Sequence, residues 1–133
     1  MREIKFRAWD KVTEKMYLVW DIGFKAWDGE DSIINYIRIC PDGTEDRFEN
    51  QVELMQYTGL SDKNGKEIWE GDLVQTKMDG KNVICEVIFQ EGYFALKLTS
   101  PDPTDYRKYI GIMYGANPYG EVIGNIYESP TAI

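Results

Sequence analysis

A chain of 133 residues with 43% apolar content can bury a core without disulfides, and nine Tyr, five Phe and four Trp favour pleated, half-buried surfaces over helices. Against 23 Asp and Glu stand 15 Lys and Arg, a formal charge of −8 that repels phosphate and argues against a general nucleic-acid binder. The absence of histidine excludes a Ser-His-Asp triad, a Cys-His pair and histidine-ligated zinc, iron or haem, and two cysteines cannot build a four-cysteine zinc site.

The N-terminal residues alternate, with Ile4, Phe6 and Ala8 on one face and Lys5, Arg7 and Trp9 on the other, which predicts a strand with one wet face. Asp10 to Lys15 reads as a polar turn and Met16 to Trp20 as the returning strand of a hairpin. Arg2, Lys5, Arg7 and Lys11 form a basic set interrupted by Glu3 and Asp10, and alternation on an exposed strand explains it without a ligand. Charges this close to the start leave no apolar signal core, and no apolar run reaches the ~18 residues of a spanning helix, so a soluble intracellular protein without membrane contact is expected.

Residues 21–32, acidic and glycine-bearing, read as a loop, and Ile33 to Cys40 as a strand ended by Pro41-Asp42-Gly43. Over 45–56 two patterns compete. Phe48, Val52 and Met55 match helical spacing, while Val52, Leu54 and Gln56 suit a strand, and a strand over 52–57 is preferred. Asp62-Lys63-Asn64-Gly65 predicts a type I turn closed by a glycine at positive φ, and Glu70-Gly71-Asp72 a second reversal. A three-stranded meander follows over 72–78, 83–90 and 93–99, with turns at Asp79-Gly80 and Glu91-Gly92. Ser100-Pro101-Asp102-Pro103-Thr104 breaks the pattern, 105–110 predicts a short helical turn, and 121–127 a final strand. The expected fold is mainly β: an N-terminal hairpin and small sheet over 1–56, a glycine-rich turn connector over 57–71, and an SH3-like barrel over 72–133, with at most one or two short helices.

Candidate sites are few. Asp28-Gly29-Glu30-Asp31 lacks the spacing of a calcium loop, and no phosphate-binding glycine pattern occurs, so no metal or cofactor is expected. Glu70 and Asp72 flank a turn glycine, where Asp commonly accepts local backbone hydrogen bonds, and this explains them better than an acid–base pair does. Cys85, inside an apolar run, reads as a buried core thiol, and Cys40 as the end of a strand, with no disulfide between them. The stretch 109–119 is aromatic, glycine-rich and nearly uncharged, which makes Tyr109, Met113, Tyr114 and Tyr119 a candidate interaction surface or, equally, a loop that closes the core.

Three segments carry a resemblance: Ile4-Lys5-Phe6-Arg7-Ala8-Trp9-Asp10, Gln56-Tyr57-Thr58-Gly59-Leu60 through Glu70-Gly71-Asp72, and Val122-Ile123-Gly124-Asn125-Ile126-Tyr127-Glu128. Together they resemble the YopX family of phage and prophage proteins, with Trp69 and Leu73 standing where Tyr and Ile or Val are expected in relatives. The motif positions are Trp9, Tyr57, Thr58, Gly59, Asp62, Asn64, Gly65, Glu70, Gly71, Asp72, Gly124 and Asn125. The resemblance implies a β-rich fold, a phage or prophage origin and expression in the cytoplasm of a bacterium, and it implies no catalytic residue. The leading functional expectation is a non-enzymatic accessory protein acting through protein contact, with a host protein of basic character or with itself as a homo-oligomer whose contacts fall on 109–119 and the N-terminal hairpin. The alternatives are a nucleic-acid-binding barrel that stacks bases on aromatic side chains, and a histidine-free hydrolase needing two of Glu67, Glu70, Asp72 and Glu86 in one cleft.

Overall fold

The alternating start produces strand β1 (Phe6–Asp10), which pairs antiparallel with β2 (Lys15–Leu18) and sets Ala8 opposite Tyr17 and Asp10 opposite Lys15. These elements come from a computed structural model that describes residues 3–24, 34–39, 45–78, 80–99, 109–112 and 120–128. The chain divides into two units, an N-terminal one of Ile4–Gln56 and a C-terminal one of Tyr57–Ile133 with Met1–Glu3.

In the N-terminal unit the hairpin is followed by β3 (Asp21–Phe24), β4 (Ile34–Ile39) and β5 (Glu45–Arg47), an antiparallel sheet with β4 in the middle. A 3-10 turn at Glu49–Gln51 comes next, closed by Gln51, whose side chain accepts the Phe48 N–H at 2.9 Å while its own N–H donates to the Phe48 carbonyl at 3.0 Å. Then β6 (Val52–Ser61) begins, and its first residues pair with β1, Ala8 facing Leu54 and Asp10 facing Val52. Ala8, Ile37, Ile39 and Val52 form the buried core, with Tyr17, Val19 and Leu54 packed against it. The other face of β1 is not the wet face expected. Arg7 and Trp9 are half-buried there and Met55, opposite Arg7, is buried, so the strand is covered on both sides.

In the C-terminal unit the end of β6 pairs with β7 (Glu67–Trp69). Five further strands follow: β8 (Asp72–Met78), β9 (Lys81–Gln90), β10 (Tyr93–Leu98), β11 (Tyr109–Ile112) and β12 (Glu121–Asn125). They form one antiparallel sheet in the order β11-β10-β9-β8-β12, which curls into a half-barrel. Ile68, Val74, Cys85, Val87, Leu96, Leu98 and Val122 fill it, so the expected meander supplies most of the core from its inward positions. Cys85 is a fully buried free thiol, and burial pushes its pKa up to about 11.

Three local expectations change and one holds. Asp21–Phe24 is a strand, not a loop: Asp and Gly weaken β propensity, but Gly23 lies under the Tyr36 ring of the neighbouring strand, where a Cβ would collide with it. Within 45–56 the preferred strand from Val52 stands, as the start of β6, while the residues before it form β5 and a single 3-10 turn. The turn-rich stretch 57–71 holds the rest of β6 and all of β7, because a bulge absorbs Gly59 without ending the strand. Finally, Tyr109 and Ile110, expected in a helical turn, belong to β11: the ladder offered by the edge of β10 outweighs local helical spacing. Residues 105–108, the acidic run 28–31, the turn at 41–43 and Cys40 lie outside the described residues.

Candidate functional site

Among the described residues three polar side chains are buried, Asp10, Asp62 and Asp72, and all three sit in the segments that resemble a known family. A buried carboxylate is costly unless its oxygens are paired, so the partners of each reveal what it does.

Asp10 continues the inward face of β1 beyond Phe6 and Ala8 and is fully enclosed. Its two oxygens take a two-pronged ion pair from Arg47 on β5, Nε to Oδ1 at 3.0 Å and Nη2 to Oδ2 at 3.1 Å. Thr13 donates its hydroxyl to Oδ2 at 2.7 Å and Val12 its N–H to Oδ1 at 3.2 Å. Burial raises the Asp10 pKa, but these hydrogen bonds and the guanidinium charge outweigh it and hold the carboxyl below its ordinary value. The group ties the hairpin to the three-stranded sheet. Arg47 is nearly buried too and also reaches Glu45 at 3.3 Å. In the sequence Asp10 reads as the first residue of a turn; its place two residues beyond Ala8 on the buried face is the signal that it is enclosed.

Asp62 closes the Asp62-Lys63-Asn64-Gly65 turn. Its Oδ1 accepts the N–H groups of Asn64 at 2.8 Å and Lys66 at 2.9 Å, and its Oδ2 reaches across to the Val122 N–H at 2.9 Å on β12. Lys63 N–H adds a bond to the Gly120 carbonyl at 3.0 Å. Desolvation again works against the charge, and three backbone donors with the nearby Lys66 more than offset it, so this pKa is lowered as well. Gly65 has φ of +82°, as the turn type requires.

The other motif positions serve the same architecture. Tyr57 and Trp69, opposite each other across β6 and β7, tilt together with centroids 5.4 Å apart. Thr58 donates to the Ile68 carbonyl at 2.6 Å and accepts from the Leu60 N–H at 3.1 Å, so its hydroxyl supplies the ladder bonds that the bulge at Gly59 displaces. Glu70 and Gly71 make the turn into β8, where Asp72 Oδ2 caps the Trp69 N–H at 2.8 Å, and the Gly71 backbone bonds Val87 and Ile126. Gly124 marks the register shift of β12 against β8, and Asn125 Oδ1 accepts from Tyr127 and Glu128 N–H groups in a turn that ends the strand. Trp9 lies half-buried on β1.

The carboxylates named for a histidine-free hydrolase lie on neighbouring elements of the C-terminal unit. Asp72 is committed to a backbone cap, while Glu67 lies on β7, Glu70 in the following turn and Glu86 opposite Leu73 on β9. Among the described residues no cluster of three or more His, Cys, Asp or Glu is placed to hold a metal ion. Of the basic set, Lys11 is engaged with Glu53 at 3.1 Å and the Asn50 carbonyl at 3.3 Å, while Arg2 is not among the described residues. Met113, Tyr114 and Tyr119 lie outside the described residues, and Tyr109 is placed only by its backbone, in β11.

The hairpin named from the sequence as a contact surface is part of a wider apolar surface on the N-terminal unit. Ile4, Val12, Leu18, Trp20, Phe24 and Phe48 are all exposed, Phe48 at 68%, whereas only Phe89 and Ile126 among the described large apolar residues of the C-terminal unit are. Two wet aromatics lie around β3 and a third follows β5.

Among curated proteins no match is found. The crystal structure of protein EF1440 from Enterococcus faecalis is similar, at 25% identity over 96% of this chain and 95% of that one, with a TM-score of 0.49. A family model described as YopX protein matches residues 5–133, nearly the whole chain, which therefore belongs to the YopX family.

Proposed function

We propose that the protein is a non-enzymatic accessory protein of phage or prophage origin that acts in the bacterial cytoplasm by binding other proteins through its N-terminal unit. The observation that carries this reading is the concentration of exposed Ile4, Val12, Leu18, Trp20, Phe24 and Phe48 in the unit with the smaller core. The buried carboxylates support it, because each is spent on backbone or ion-pair architecture. Glu45, Asp46 and Glu49, close to Phe48 in sequence, are exposed, and with the net charge of −8 they suit a basic partner. Pull-downs from bacterial lysate at low and high salt test this. A saturable partner released by salt and lost with Phe48→Lys is the expected result, and the absence of any such partner at low salt overturns the reading.

The alternative, a nucleic-acid-binding barrel, draws support from the C-terminal unit. The order β12-β8-β9-β10-β11 is compatible with an SH3-like barrel, and half-exposed Phe89 packs edge-on against Phe94 at 5.0 Å beside the β9–β10 turn. Titrating labelled single strands at low salt decides it: binding lost with Phe89→Ala would favour the barrel, and no binding would end it.

A further inference from the structure

We infer that β3 is a strand-addition edge for a second copy of this chain, the two β3 strands pairing antiparallel across a two-fold axis at Ile22. This deepens the reading of the N-terminal unit as a protein-contact surface and rests on it. Among the described residues β3 pairs only with β4, leaving it at one end of the β3-β4-β5 sheet. Edge strands are normally guarded by Lys, Pro or an unpaired charge, and Asp21-Ile22-Gly23-Phe24 has none of these. Its single charge is already answered: Asp21 Oδ2 is 3.3 Å from Nη1 of Arg38, which also bonds Asp46 at 2.9 Å and lies 5.1 Å from the Tyr36 ring centre. Trp20 and Phe24, two residues either side of half-buried Ile22, are exposed at 61% and 63%.

The occupant follows from self-complementarity. With the axis at Ile22, Trp20 of one copy lies opposite Phe24 of the other, twice over, giving two aromatic cross-strand pairs. The same register sets Asp21 against Gly23, so no carboxylate meets its own copy. Shifting the axis to Asp21 would place two carboxylates face to face, and shifting it to Gly23 would lose the aromatic pairs. Both copies carry a formal charge of −8, so salt that screens their repulsion favours this association, opposite to its effect on a basic partner.

Sedimentation velocity on the full chain at low and high salt reads the mass directly. A monomer–dimer equilibrium that strengthens with salt is expected, weakened at least about tenfold by Trp20→Lys or Phe24→Glu alone. Mixing these two variants restores the dimer, because Lys at 20 then faces Glu at 24 in one rung and Phe24 faces Trp20 in the other. Phe48→Lys, away from β3, leaves the dimer intact. A wild-type chain that stays monomeric at all salt concentrations, or a mixture no more associated than either variant alone, overturns the inference. Because salt moves the two associations in opposite directions, a missing dimer and a missing basic partner are told apart in the same buffers.

Discussion

The two units solve the same problem with different means. The C-terminal unit closes five strands over seven buried apolar side chains and uses its carboxylates, Asp62 and Asp72, to satisfy backbone N–H groups at turns. The N-terminal unit packs a buried cluster of four apolar residues and relies on one enclosed ion pair, Asp10 with Arg47, to join its hairpin to its sheet, while six large apolar side chains remain in water. A small core held by a polar tie can leave apolar surface uncommitted. That surface is where binding energy is available, so the unit with the weaker interior is the better candidate for contact.

The largest effect should come from removing that tie. Asp10→Ala leaves the Arg47 guanidinium enclosed without a counter-charge, and breaking a buried pair this way costs about 3–5 kcal/mol. A unit with so small a core should not survive the loss. Hydrogen exchange should then show β1, β4 and β5 amides losing protection while β8, β9 and β10 keep theirs. Uniform loss across both units would mean that the two cores are one cooperative system, and the comparison would fail. Asp62→Ala makes the reciprocal test: three backbone donors lose a charged acceptor, about 2–3 kcal/mol, with exposure confined to β7, β12 and the turn between β6 and β7.

Acid separates the units in another way. Both Asp10 and Asp62 have lowered pKa values in the folded chain, so each contributes stability that is present above the ordinary carboxylate range near ~4 and is lost as pH falls through the folded value. Protonation does not leave equal damage. At Asp10 it strands a cation that is only 12% exposed, whereas at Asp62 it weakens bonds from neutral N–H groups that can still donate to a carboxyl oxygen. Both contributions fade over the same pH range, so the unit with the smaller buried cluster, the N-terminal one, should fail at the higher pH on acid titration, measured by exchange of unit-specific amides. A C-terminal unit that unfolds first would show that the Asp62 clamp matters more than its geometry suggests.

Much of the C-terminal unit is legible because the apolar run Val83 to Phe89, the turn residues at 91–92 and the Asp62-to-Gly65 turn each report a local preference that the fold keeps. The N-terminal unit is legible in its hairpin, in β4 and at the start of β6. Asp10 misled because carboxylates are rarely enclosed, and the Arg47 that makes it tolerable lies 37 positions away, a pairing no local pattern reveals. For the same reason β3 and β5 were missed: strands of four and three residues carrying Asp, Gly, Glu and Arg take their conformation from β4 between them. Thr58-Gly59 reads as a turn, yet the Thr hydroxyl repairs the ladder and the strand continues. Of the apolar surface, the hairpin part is anticipated as a contact, while Phe24 and Phe48 are not, because an exposed Phe and a buried one look alike in sequence.

The smallest expected effects sharpen the picture of the clamp that holds β12. Gly120, at φ of +70°, has the Gln75 carbonyl where a Cβ would stand, so Gly120→Ala adds a backbone collision to left-handed strain and should cost more than the ~1–2 kcal/mol of strain alone. Gly65, at +82°, has nothing within 4 Å of that position, so Gly65→Ala should cost only the strain, and Gly65→Asn less, since Asn tolerates this region. Urea midpoints at constant slope measure the difference. Equal costs at the two positions would mean that β12 can yield to make room at Gly120, and that Asp62 positions the strand without holding it fast.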